Sequence, residues 1–272
     1  MRRFKDFTLK LLIYLSVILT VGCIFSIVIF MFVNGISKLN IQFILGDIHN
    51  HFEGGVIPMI VTTIYTVVIS LLIATPIGIF SAIYLQEYAK QGIFIEIIRF
   101  SIEALAGIPS IVYGLFGGVF FVSALKFGYS IIACSFTLAI IILPVIIRTT
   151  EETLHTVPQS YKEGALALGS TKFQTLMKVV LPYCISGILS GIILSVGRIV
   201  GESAPVLLTL GTVAKMPSGI FSSARTLTVH SYLLTKETGD IQSASAIGIV
   251  LLVIVFFLNL LTRFIGKKLN RS

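Results

Sequence analysis

The sequence predicts an all-α integral membrane protein that crosses the bilayer six times, with both termini in the cytoplasm. Three observations carry that expectation. Of 272 residues, 56% are hydrophobic and only 12% charged, against roughly 25% charged in a soluble domain. Mean hydropathy is +1.00, so lipid must replace water over much of the surface. Six apolar runs each approach or exceed the ~20 residues that a span needs. Finally, Lys and Arg gather at alternate connections, as expected when basic flanks stay in the cytoplasm. The net charge of +8 would point to a polyanion in a soluble protein. Here it follows from topology, and nucleic-acid-binding or secreted-enzyme readings fit poorly.

The first run, residues 11–33, follows Met-Arg-Arg-Phe-Lys and could pass for a secretory signal. It exceeds the usual 7–15-residue signal core and no A-x-A-like site follows, so an uncleaved span is expected. The second run, 56–85, and the fifth, 179–210, are longer than a straight span requires. Each contains a proline, Pro76 and Pro205, which predicts tilt, a kink or an unwound end. The third and fourth, 105–125 and 129–147, are separated by Lys126, Phe127 and Gly128, a tight hairpin. The sixth is 244–265. With the amino terminus inside, about 14 of the 20 basic residues are cytoplasmic and about five external. No soluble domain, low-complexity linker or internal repeat is evident, so residues 1–272 read as one membrane domain.

The longest internal loop, about 148–178, carries helix signals. Pro158 stands near a start, and Tyr161 to Gly169 reads YKEGALALG. A short helix, a turn at Gly169 and a second helix from Ser170 and Thr171 toward Leu181 and Pro182 are expected. Such a segment serves either as a solvated connector or as a docking helix whose small residues admit another subunit, with Glu163 as a charged anchor.

Arg198 and Glu202 are the ionisable residues placed deep within a span. A central Arg or Asp costs about 2.5–3.5 kcal/mol on insertion scales, so both need a wet or paired environment. On one helix they would lie about 6 Å apart along the axis and about 40° around it. Gly187, Gly191 and Ser195 share that side, a small-residue stripe that packs helices closely or lines a pathway. Two readings of the charges stand side by side. One is a salt bridge that locks helix packing. In the other, Arg198 offers a planar, permanently charged fork to a tetrahedral oxyanion, with Glu202 as its resting partner.

Other features carry less. Gly107-x-Pro109-Ser110 and Gly114-x-x-x-Gly118 mark a broken helix or, more ordinarily, packing sites. Cys23, Cys134 and Cys184 read as small core hydrophobes, since neither CxxC spacing nor a neighbouring His suggests a metal or redox site. His49, His51, His155 and His230 read as surface residues, and no metal or cofactor is expected. No phosphate-binding G-x-x-x-x-G-K-[ST] motif occurs, so any ATP must be hydrolysed by another chain.

The run Glu163-Gly164-Ala165-x-x-x-Gly169, nine residues, then Val179-x-Leu181-Pro182 resembles the EAA loop of ABC importer permeases. That loop is written E-A-A-x(3)-G-x(9)-I-x-L-P; Gly164 and Val179 are the departures, and both keep its spacing. The resemblance implies a type I importer permease fold and a coupling element, Glu163, Gly164, Ala165 and Gly169, that docks on a cytoplasmic ATPase. Residues 54–58 (GGVIP), 83–88 (IYLQEY), 105–117 (LAGIPSIVYGLFG) and 197–209 (GRIVGESAPVLLT) extend it over most of the chain. Together they are similar to PstA-type permeases, one of the two permease branches of phosphate importers; the GESAP form favours this branch over the PstC type. That likeness implies passage of inorganic phosphate past Arg198 and Glu202. It also implies a PstC-like second permease, PstB-like ATPase subunits and a PstS-like external binding protein. The alternatives are a permease for another oxyanion or small solute, an ion-coupled secondary transporter, or an assembly protein. An ATPase-docking loop speaks against the second of these.

Overall fold

A computed structural model describes residues 2–46, 54–90 and 92–269. The described residues are helical wherever they are regular. Five helices are long and apolar enough to cross a membrane, and a sixth crossing is a bent pair. Six crossings return the chain to its starting side, the side carrying most of the Lys and Arg.

Helix α1 (Arg2–Gly35) stands apart, with no part of its most apolar stretch buried within the chain. It touches α12 (Ile241–Leu269) through glycines. A Cβ on Gly35 would lie 2.6 Å from the Ala246 nitrogen, and Met31 lies over Gly248. Cys23, expected in a core, sits on the exposed surface of α1, while Cys134 and Cys184 are buried. A short α2 (Ile41–Leu45), capped by Asn40, follows; His49 and His51 lie outside the described residues.

Helix α3 (Ile57–Ile83) opens on Pro58 and runs through Pro76 without a break, ending in a π-helical turn, Tyr84–Tyr88. It packs most extensively on α6 (Ile131–His155), where a Cβ on Gly78 would lie 2.7 Å from Ile146 Cγ2. Ser130 caps α6. Its last two turns, residues 148–155, occupy what the sequence assigned to the cytoplasmic loop.

The third run departs most from expectation. Helix α4 (Ile93–Gly107) begins in the stretch read as a cytoplasmic connection. It meets Ser110–Ala124 at 99°; the first part of that second arm is α5 (Ser110–Gly117) and the rest a π-helical turn. The break falls where physics places it: Ile108, preceding Pro109, is extended at φ −70, ψ 132, because a proline disfavours helical backbone in the residue before it. The expected hairpin follows, with Lys126 at φ 56 and Gly128 at φ 64.

After α6 come α7 (Gln159–Ala167) and α8 (Lys172–Thr175), the latter continuing into α9 (Leu181–Gly201) through a π-helical turn. The fifth run then splits. Glu202 and Ser203 leave helical register, and Pro205 sits in the first turn of α10 (Ala204–Thr209), where its missing N–H costs nothing. The segment between α10 and α12, read as a plain external loop, instead contains α11 (Leu227–Leu233), with four buried residues. Apolar packing forms one central cluster on α6, α9 and α10 with α3, and smaller clusters toward each end. Large apolar side chains such as Ile18, Leu72 and Phe100 face outward, as a lipid-facing surface requires.

Candidate functional site

Two broken spans meet at the centre of the protein. Gly114 of α5 lies against Pro205 of α10, where an added Cβ would fall 2.8 Å from the Pro205 Cα. Gly117 faces Thr137 and Thr209, and Gly118 the Leu208 carbonyl. The Gly114-x-x-x-Gly118 pattern is therefore a packing face, and the break at Ile108 and Pro109 is real. At that break the Tyr113 hydroxyl donates to the Leu105 carbonyl at 2.6 Å, which also accepts from the Ile108 N–H at 3.2 Å.

Beside this junction α9 ends. Arg198 lies in its last turn, where a cation suits the negative end of the helix dipole, and within electrostatic range of the Tyr113 hydroxyl. Glu202 caps the helix in extended conformation, φ −75, ψ 129. The placing of both charges on one helical stretch is thus corrected: Arg198 is on the last turn and Glu202 just beyond it, at the unwound end that Pro205 announces. They still pair, Arg198 Nε to Glu202 Oε1 at 3.8 Å, with side-chain exposures of 32% and 14%. At that distance the pair is Coulombic rather than a hydrogen bond, so the guanidinium keeps its fork of donors. Gly187 and Gly191 pack on Thr153 and Thr149 of α6, and Ser195 is fully buried. That stripe is helix packing; the charges stand at its edge.

The segment after α6 forms a second, separate surface. Pro158 precedes α7, and α7 stops at Leu168. Gly169, at φ +87, donates to the Leu166 carbonyl at 2.9 Å, and Ser170 to that of Ala165 at 3.1 Å. These two bonds make a Schellman turn, which needs a left-handed residue at Gly169. Thr171 and Gln174 then exchange hydrogen bonds as a capping box that starts α8. Glu163, Gly164 and Gly169 are exposed and Ala165 half-buried. Around them stand the exposed apolar side chains of Tyr161, Leu168 and Phe173, with Leu168 90% exposed. Lys162 pairs with Glu87 at 2.5 Å, fixing α7 to the end of the second span over a cleft of about 330 Å³.

With this geometry in place, comparison with known proteins decides the family. Residues 74–271 match the model of the binding-protein-dependent transport system inner membrane component. The chain belongs to that family. A probable ABC transporter permease of Bacillus subtilis, YqgI, is 34% identical over 261 residues, 89% of this chain and 88% of its own. The phosphate transport system permease PstA of Mycobacterium leprae is 34% identical, covering 79% of this chain and 71% of that protein. PstA of Haemophilus influenzae is 36% identical over 72% and 70%. Among solved structures, a chain of a bacterial alginate ABC transporter aligns over 100% of this chain and 99% of its own at TM-score 0.72 and 14% identity. The MetNI methionine transporter aligns over 80% and 93%, at 0.60 and 18%. These distant structures share the fold of an ABC importer permease, and the chain is a multi-pass membrane protein of that type.

Within this binding-protein-dependent permease, the structure brings Arg198 and Glu202 together and gathers Glu163, Gly164, Ala165 and Gly169 on a separate cytoplasmic surface. His155 is exposed as expected. His230 is not: it is 4% exposed in α11, and burial, then the nearby Arg225 charge, push its pKa down to about 3. Arg225, just before α11, is 2% exposed; burial lowers its pKa to about 10, opposed by Glu237. Both depend on how α11 folds back on the spans, which a lone His and a lone Arg in a polar stretch do not signal. Also unforeseen is a charged cleft of about 190 Å³ between α4 and the cytoplasmic end of α6. Arg99 and Glu151 pair there at 3.4 Å, and Arg148 and Glu152 at 3.3 Å. Among the described residues no cluster of three His, Cys, Asp or Glu could hold a metal.

Proposed function

We propose that this chain is a permease subunit of an ATP-driven importer of inorganic phosphate. Residues 1–272 act as a single transmembrane domain with a coupling loop at about 148–178. Arg198 and Glu202 line the anion's path. The observation that carries this reading is the Arg198–Glu202 pair at the break of the fifth span, close but not hydrogen-bonded. A guanidinium in that state offers bidentate donors to a tetrahedral oxyanion. Glu202 keeps the empty site from holding an isolated cation, and its repulsion of the anion favours release. The relatives named as phosphate permeases support the choice of solute.

The chain itself has no hydrolytic role in this scheme. Glu163, Gly164, Ala165 and Gly169 present α7 to PstB-like ATPase subunits, and the exposed apolar side chains around them supply the area to bury. A PstC-like second permease completes the path, and a PstS-like external binding protein delivers the solute. Uptake of labelled phosphate by cells that depend on this chain tests the proposal, with unlabelled sulfate as competitor. Uptake resistant to excess sulfate and impaired by Arg198→Lys, which keeps the charge but loses the fork, is expected. Equal competition by sulfate would reassign the solute.

A further inference from the structure

The end of α9 poses a problem for any anion that approaches Arg198. The last carbonyls of a helix have no intrahelical partners and carry the negative end of its dipole, about half an elementary charge. They attract the guanidinium and repel its ligand. Two bonds deal with this end. The Glu202 N–H donates to the Ile199 carbonyl at 3.2 Å. The Thr228 hydroxyl donates to the Val200 carbonyl at 2.5 Å, across 28 residues of sequence.

Thr228 is half-buried on α11, whose position is set by bonds that do not involve α9. The Leu227 N–H donates to Thr63 Oγ1 of α3 at 3.1 Å, and Thr226 caps the helix. Val200 lies two residues before Glu202, so the hydroxyl grips the backbone at the point from which the carboxylate hangs. We propose that Thr228 is a positioning residue for anion passage: it fixes the broken end of α9, holding Glu202 beside Arg198 and keeping the Val200 carbonyl from competing for the guanidinium. This rests on the reading of Arg198 and Glu202 as the anion's path. Thr228→Val keeps the side chain's shape but removes the donor, leaving the carbonyl free to turn toward Arg198. Thr228→Ser keeps the donor and loses a methyl group.

The test uses the assembled importer and labelled inorganic phosphate, with uptake normalised to assembled complex. Thr228→Val should lower maximal uptake about tenfold, the scale of a polar group left unpaired, and Thr228→Ser should stay within about twofold of the wild type. Glu202→Gln should also lower uptake. The Thr228→Val, Glu202→Gln double variant should be no worse than the poorer single one, because both changes undo the same arrangement. Wild-type uptake in Thr228→Val, no rescue by Ser, full uptake in Glu202→Gln, or losses that multiply in the double variant would each overturn the inference. Failure of the underlying reading looks different: Arg198→Lys would then transport normally, which removes the path and the role of Thr228 with it.

Discussion

Placing a methyl group on Gly114 probes the junction of the two broken spans. An alanine Cβ there would sit 2.8 Å from the Pro205 Cα, 3.0 Å from Leu208 Cδ1 and 3.3 Å from the Pro205 nitrogen. Carbon atoms in contact prefer about 3.5–4.0 Å, so the overlap with Pro205 is about 0.7–1.2 Å. The Leu208 methyl can swing aside, but the Pro205 Cα is backbone, so α5 and α10 must separate. Overpacking of this kind costs about 1–3 kcal/mol, and the displacement falls three residues beyond Glu202. Gly114→Ala should therefore lower the thermal stability of the detergent-solubilised permease and reduce phosphate uptake per assembled complex. Gly22→Ala is the control: it meets nothing within 4 Å, and the helix-propensity gain is at most about 1 kcal/mol. A Gly114→Ala protein as stable and active as the wild type would show that α5 and α10 are not in the close contact described.

Two further perturbations address the other surfaces. At the proposed coupling loop, Gly169→Val forces a β-branched residue into φ +87, at a cost of about 1–3 kcal/mol, and Glu163→Gln removes the proposed anchoring charge; both should reduce ATPase co-purification and uptake with membrane insertion intact, and unchanged values in both would remove the coupling role. At α11, the folded-state pKa of His230 is about 3 against about 6.5 unfolded, so above pH 6.5 its titration contributes nothing and stability is lost as pH falls from 6.5 toward 3, because only the unfolded chain takes up the proton. By pH 5 the loss is about 2 kcal/mol; melting at pH 7.5 and pH 5 should show the wild type losing that much more than His230→Asn, and equal losses would mean that His230 is not buried neutral.

What the sequence reveals here is set by how local each signal is. Long apolar runs such as those of α1, α3 and α12 read directly, because lipid demands them whatever the helices touch. The turn at Gly169 is equally local, since its glycine, the Thr171 cap and Gln174 lie within six residues. Arg198 and Glu202 stand out because charge in an apolar run is costly anywhere. Their surroundings are less legible. The prolines at 109 and 205 announce a disturbance, yet Pro76 is passed without one. Proline position alone does not decide between a continuous and a broken span; the packing of Gly114 on Pro205 belongs to the tertiary structure. Helix α11 is the clearest loss. Its residues look like loop because their burial depends on Thr63 and Val200, 164 and 28 residues from their partners. The same distance in sequence hid the burial of Arg225 and His230.

Anion passage and helix locking make opposite demands on Arg198 and Glu202. A Gln at each position removes both charges together, leaving no uncompensated ion in the span, while amides can still hydrogen-bond and hold α9 in place. Uptake of labelled phosphate by the Arg198→Gln, Glu202→Gln double variant, normalised to assembled complex, therefore separates the two roles. If the guanidinium receives the anion, uptake falls about tenfold or more, the scale of losing a hydrogen bond to a charged group, with assembly preserved. Near-normal uptake in the double variant would mean that the pair serves only to hold the helices together.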